Sequence, residues 1–202
     1  MEAYIKHKFK FLGIKSPERK MLLKQFVTEN KHKISSQCRD LIKDLYELPE
    51  REFHYCAMEI SDKFLKNKYK INDIDLIKRL ISNYSHWDSV DFIAKHILGN
   101  YLMCYPNKTK KIISEFSSSK NIWLNRSAIL FQLGYKERTN SDLLFNLCRT
   151  HANSKEFFIK KAIGWALREY GKVNPQSVIK FIKANQLSAL SQKEALRNIT
   201  LV

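Results

Sequence analysis

Apolar side chains recur at three- and four-residue intervals along almost the whole chain. That is the spacing of amphipathic helices, not the alternation of half-buried strands. In the stretch FFIKKAIGWALREYGK, residues 157–172, one face gathers Ile159, Ala162, Ile163, Ala166, Leu167 and Tyr170. Trp165 falls on the opposite side with Lys161, Arg168 and Lys172. In NIWLNRSAILFQL, residues 121–133, apolar residues lie nearly all round, so this helix is expected to be internal; Arg126 shares a side with Ile122, Ile129 and Leu133. In SHWDSVDFIAKH, residues 85–96, the stripe runs through Val90, Ile93, Ala94, Ile97 and on to Tyr101. Asp88 points away, toward Lys95. Asp91 sits at the margin of the stripe with Trp87 four residues before it and Leu98 seven after, so indole and carboxylate share a face.

Helix starts are marked by proline. Ser16-Pro17 predicts an N-cap followed by proline in the first turn, Pro49-Glu-Arg repeats the pattern, and Asn174-Pro175 does so again. With Gly at 5 and Pro at 4 in 202 residues, turns of the kind that strands need are scarce, and the predicted class is all-α. The tryptophans Trp87, Trp123 and Trp165 are separated by 36 and 42 residues, and each is followed within four positions by a charged residue, Asp91, Arg126 and Arg168. A period of about 34–47 residues is the mark of solenoids built from helix pairs; an irregular helical bundle is the alternative. No linker or low-complexity segment interrupts the chain, which predicts a single domain over residues 1–202.

Charge changes the picture. Lys and Arg number 36 against 20 Asp and Glu, a formal net charge of +16 spread along the chain. A folded domain with that excess points to a polyanionic partner, normally nucleic acid, although a merely solvated basic surface gives the same total. Cys38, Cys56, Cys104 and Cys148 have no CxxC pairing and no histidine at ligand spacing. They read as buried, reduced thiols of a cytoplasmic protein, with no metal. The opening EAYIKHKFKFLGI has no apolar run of signal-peptide or membrane-span length.

Three side chains break their helical pattern, and each leaves a choice. Trp165 among cations suits contact with a sugar-phosphate backbone or a base, unless another helix covers it. Arg126 on an apolar side needs a carboxylate or a phosphate, because an unpaired buried charge is costly; it is either a structural salt bridge or a phosphate clamp. At the start of SHWDSVDFIAKH, Asp88 or Ser85 is a capping candidate, with Asp91 or Asp88 respectively completing the box.

The segments FKFLGIKSPER, LYELPEREFHYCAMEI, WDSVDFIA, NIWLNRSAILFQL and SKEFFIKKAIGWALREYGKVNP occur in that order. Together they resemble the AlkD-like HEAT-repeat DNA glycosylases, the bacterial DNA alkylation repair family, over about Tyr4 to Ile199. The resemblance implies a curved α-solenoid of HEAT-like antiparallel helix pairs with a basic concave face for duplex DNA. It also implies removal of positively charged N3- and N7-alkylated purines in base excision repair, with no metal or organic cofactor, by a cytoplasmic monomer that joins the nucleoid when bound to DNA. On this reading the family's key carboxylate falls on Asp91 and its paired tryptophan on Trp87. The second site tryptophan falls on Trp165, the phosphate-contacting arginine on Arg126, and an N-terminal tyrosine of the DNA-binding face on Tyr4. Asp88 is left with the capping role. Lys15, Lys161, Arg168 and Lys172 join Arg126 as expected phosphate contacts.

Two departures stand out. Relatives often have a further helix before the position of Met1, and often carry an aromatic where this chain has His86. The competing reading is a non-catalytic HEAT-repeat protein that binds damaged or branched DNA; a scaffold for an acidic protein is a third, supported by nothing beyond the fold.

Overall fold

The computed structural model of the chain describes residues 8–197 and 199. Among these residues the backbone is all-helical with no β-strand, apart from an isolated bridge between Lys10 and Glu50. The helices gather into two compact units that divide between Ser85 and His86.

The first unit contains α1 (Ser16–Glu29), α2 (Lys31–Glu47), α3 (Arg51–Leu65) and α4 (Asp73–Ser82). Its main pair is α2 with α3, sealed by Ile34, Cys38, Ile42 and Tyr46 on one helix and Ala57, Met58, Ile60 and Leu65 on the other. Charged side chains fasten the remaining pieces. Glu52 accepts the backbone N–H groups of Leu12 and Gly13 at 3.0 and 3.1 Å, Arg19 pairs with Glu59 at 2.6 Å, and Arg39 holds Asp73 through two bonds of 2.7 Å. The proline signal for α1 is displaced by one residue: the helix opens at Ser16, Lys15 occupies the N-cap, and no side chain caps it. At Asn174 the expectation holds, and its side chain accepts the Ser177 N–H at 3.0 Å.

The second unit begins with α5 (Trp87–Phe92), which runs through a π-helical turn (Ile93–Leu98) into α6 (Gly99–Cys104). There follow α7 (Thr109–Ser117), α8 (Ile122–Leu130), α9 (Ser141–Thr150), α10 (Phe157–Gly171), α11 (Pro175–Ala184) and α12 (Ala189–Leu196). Four helices form a row: α5 packs on α8, α8 on α10 and α10 on α12. Against that row, α7 packs on α8, α9 on α8 and α10, and α11 on α10 and α12. This is the helix-pair layering of an α-solenoid. The tryptophan period has its cause here, since Trp87, Trp123 and Trp165 lie on successive helices of the row.

The apolar stripes are where their spacing placed them. Val90, Ile93, Ala94, Ile97 and Tyr101 are buried, as are Ile159, Ala162, Ile163, Ala166 and Leu167, while Tyr170 is half-buried. The π turn departs from a regular helix. It adds a residue to the local turn, and Leu98, read as flanking Asp91, is fully buried beside Ile97. The cysteines also differ from one reading: Cys38 and Cys148 are buried, Cys56 is half-buried and Cys104 is exposed. No helix among the described residues is long and apolar enough to cross a membrane.

Helices α10 and α12 pack closely. Ser191 Oγ donates to the Lys160 carbonyl at 2.9 Å, and a Cβ added at Gly164 would land on Glu194 Cβ and 2.9 Å from the Ser191 carbonyl oxygen. Neither obstacle is the loose end of a side chain. Gly164→Ala is therefore expected to force the two helices apart and cost about 1–3 kcal/mol, read as a lower urea midpoint with an unchanged slope. A wild-type midpoint would show that α12 can yield without cost.

Candidate active site

Arg126 is one of the largest fully buried side chains, with 1% of its surface exposed. It lies on α8 among Leu124, Ala128 and Ile129, all buried, and must be neutralised where it stands. Its counterion is Asp91 on α5. Arg126 Nε donates to Oδ1 at 2.6 Å and Nη2 to Oδ2 at 2.7 Å, the two parallel bonds of a guanidinium–carboxylate fork. Arg126 Nη1 donates to the Phe158 carbonyl at the start of α10. The choice left open for Arg126 thus goes to a salt bridge in this state of the protein, and the partner is the carboxylate singled out for chemistry.

Asp91 keeps 18% of its side chain exposed. A carboxylate offers about four lone-pair sites; Arg126 occupies two. Burial pushes the Asp91 carboxyl above the ordinary aspartate range, against the opposing effect of Arg126.

The capping readings for this helix do not hold. The N-cap position is His86, with extended φ −154° and ψ 159° and no side-chain cap bond. Asp88, second in the helix, instead faces His86 Nδ1 at 3.1 Å, and Ser85 Oγ donates back to the Ile81 carbonyl at 2.6 Å. The cause is the start of the helix at Trp87, which puts Asp88 inside the first turn and Asp91 a full turn beyond Trp87. His86 is buried. Its ring lies 5.8 Å from Trp87 and 6.4 Å from both Trp123 and Phe158, and Trp123 lies 5.1 Å from Phe158. An aromatic layer therefore backs the start of α5.

Trp165 is half-buried rather than fully exposed. Arg126 Cζ stands 5.3 Å from its ring centroid, close enough for a cation–π contact. Its indole Nε1–H donates to Glu194 Oε2 at 3.0 Å. The same carboxylate takes Lys161 Nζ at 2.7 Å and Arg168 Nη1 at 3.3 Å. The outer side of α10 is partly covered by α12, and two of the cations read as framing Trp165 are partly neutralised there. Lys161's ammonium holds Glu194 below the ordinary glutamate range, with the indole N–H and Arg168 adding to the effect against some burial. Lys172 pairs with Glu169 on its own helix.

The second unit thus brings together Trp87, Asp91, Arg126, Trp165, Lys161 and Arg168 in one line of helices, and leaves Lys172 at the exposed end of α10. Lys15 is exposed at the N-cap of α1 in the first unit, and Tyr4 lies outside the described residues. Two contributors escaped the sequence reading. Phe158 supplies a carbonyl and a ring to Arg126, and helical spacing gives no sign of that. Glu194 meets its partners across 26 to 33 residues, and a lone glutamate on a short helix carries no signal. Among the described residues, no three His, Cys, Asp or Glu side chains cluster as a metal site would require.

A family model described as DNA alkylation repair enzyme matches residues 1–199. A solved structure described as a predicted DNA alkylation repair enzyme from Enterococcus faecalis is 34% identical, with a TM-score of 0.91 over 100% of this chain and 94% of that one. The crystal structure of smu.31 from Streptococcus mutans UA159 is 18% identical, with a TM-score of 0.65 over 90% of this chain and 98% of that one, a likeness of fold alone. No curated protein matches the chain.

The two carboxylates titrate in opposite senses. Asp91, raised on folding, contributes stability that is complete below the ordinary aspartate pKa and is lost as pH rises through its folded value. Glu194, lowered on folding, contributes stability that is present above the ordinary glutamate pKa and is lost as pH falls through its folded value. Carboxyl-carbon NMR titration should place Asp91 above and Glu194 below their ordinary values. Arg126→Gln removes the group that opposes burial and should move Asp91 further up. A downward movement would mean that burial does not control this carboxyl.

Proposed function

The chain belongs to the DNA alkylation repair enzyme family, and from that premise we propose that it is a DNA N-glycosylase that excises cationic N3- and N7-alkylated purines, of the 3-methyladenine and 7-methylguanine type, from duplex DNA. Family membership gives it a role in DNA alkylation repair, with DNA as its partner. The finer reading is carried by one observation: Asp91 is a partly open carboxylate, a turn beyond Trp87, oriented by a buried guanidinium that leaves two of its lone-pair sites unused.

Alkylation at N3 or N7 makes the purine cationic. When the C1′–N9 bond breaks, its electron pair goes to the base, which leaves neutral, and the sugar becomes oxocarbenium-like. Water then adds to C1′ and loses a proton, giving an abasic site. The positive charge moves from base to sugar, so the protein's main task is to stabilise cation at C1′ and position a water. A carboxylate beside apolar walls does the first, because attraction between charges strengthens as water is excluded. Glycosidases use carboxylates against a related transition state. The lone pairs of Asp91 not taken by Arg126 are suited to both tasks, including acceptance of the water's proton. Trp87 and Trp165 offer aromatic faces to the cationic nucleotide, worth about 0.5–2 kcal/mol each. The leaving group is already activated, so no strong general acid is needed. Lys15, Lys161, Arg168, Lys172 and, on rearrangement of its pair, Arg126 are the proposed phosphate contacts, and Tyr4 is proposed as a further contact to DNA. The protein is proposed to act as a monomer in the bacterial cytoplasm.

Release of 7-methylguanine from methylated duplex DNA is the decisive assay. Asp91→Asn should lower turnover by about 10²–10³-fold while retaining DNA binding, with a thermal melt run alongside because breaking a buried pair can cost about 3–5 kcal/mol. Normal turnover in that variant would sink the role given to Asp91. No base release by the wild type, with salt-sensitive binding intact, would leave a non-catalytic DNA-binding protein. If six or more phosphates are contacted, affinity should fall roughly a thousandfold between about 50 and 200 mM salt; a flat response would exclude the phosphate contacts.

A further inference from the structure

Glu194 has no place in the chemistry above, yet its carboxylate has one of the fullest sets of partners in the second unit. Three donors converge on it, Lys161, Trp165 and Arg168, at positions −4, 0 and +3 about the tryptophan on one face of α10. The stem of Glu194 occupies space that only a glycine at position 164 leaves free. Its backbone is held by α12, fastened by Ser191 to the Lys160 carbonyl and capped by the Ser188 side chain, which accepts the Ser191 N–H at 3.2 Å. An indole has one polar hydrogen. With that hydrogen given to Glu194 and a ring face turned to Arg126, both the tilt and the rotation of Trp165 are set.

We propose that Glu194 is a positioning residue with two linked tasks: it sets the Trp165 indole against Arg126, and it moderates the positive charge that Lys161 and Arg168 present to DNA. The contacts form a relay of one residue per helix, from Glu194 on α12 to Trp165 on α10, Arg126 on α8 and Asp91 on α5. Glu194 sits at the far end of that relay and touches neither substrate nor reacting atoms. Its second task follows from charge balance. Two cations share one carboxylate, so this face offers a net single positive charge where α10 alone would offer two. Binding strength and release of the abasic product then depend on the same group that orients the indole. The kinetic consequence rests on the glycosylase reading; the effects on the indole and on DNA affinity do not.

The test uses the full chain with Glu194→Ala, Glu194→Gln and, as a charge control, Glu137→Gln in an exposed turn. Three properties are read: the Trp165 indole N–H resonance, assigned with Trp165→Phe; the dependence of duplex affinity on salt; and kcat and KM on methylated duplex. Glu194→Ala should move the indole resonance to the position of a solvent-bonded N–H and steepen the salt slope by about one contact. It should lower kcat about tenfold, a loss of about 1.4 kcal/mol, while KM falls. Glu194→Gln keeps an oxygen for the indole and the stem that packs on Gly164. It should restore the resonance and most of kcat while the steeper salt slope remains. Glu137→Gln should leave the resonance and the slope where they were. An indole resonance unmoved in Glu194→Ala, or a salt slope that shifts equally in the control, overturns the proposal. If wild type releases no base, the glycosylase reading fails, and the resonance and the slope still decide for or against Glu194.

Discussion

A guanidinium that is 1% exposed has to be neutralised in place, and Arg126 takes its counterion from a helix 35 residues earlier in the chain. The consequences spread along the row. The fork fixes the rotation of Asp91 about its own side chain. It holds α5 to α8, and its third bond, to the Phe158 carbonyl, holds α8 to the first turn of α10. Such a pair adds little net stability, because desolvation offsets most of the attraction. What it does supply is a carboxylate of fixed orientation with part of its surface open, in a setting where the anion is costly and a nearby cation is correspondingly welcome.

Glu194 repeats the logic at the other end of the row with the balance reversed. It is one carboxylate against two cations and an indole N–H, and its pKa moves down where that of Asp91 moves up. Trp165 stands between the two, with Arg126 toward its ring and Glu194 on its nitrogen. The tryptophan is thus the joint between the buried pair of Asp91 with Arg126 and a half-buried cluster that holds two of the basic residues proposed to meet DNA.

Much of this was legible in the residue pattern, for identifiable reasons. The stripes through Val90 to Tyr101 and Ile159 to Leu167 were correct because a helix presents every third or fourth side chain to the same neighbour. The three tryptophans marked successive helices of the row. Arg126 was recognisable as a charge in need of a partner, since helical geometry places it among apolar residues whatever the fold. The capping role of Asp88 failed on a matter of one or two residues, the scale at which helix ends are decided by the flanking backbone. The contacts that Trp165 makes with α12 were not legible, because spacing within one helix says nothing of what a distant segment lays against it.

That division runs through the whole protein. Local rules of periodicity, capping and charge act over a turn or two of helix, so the sequence by itself determined the all-helical class, the buried stripes, the repeat, and the short set of side chains that do not fit their surroundings. Which of those misfits meet was decided by tertiary packing. Asp91 finds Arg126, and Trp165 finds Arg126 and Glu194, only because four helices separated by tens of residues stack side by side at about 8–10 Å, with a glycine letting the last of them come close.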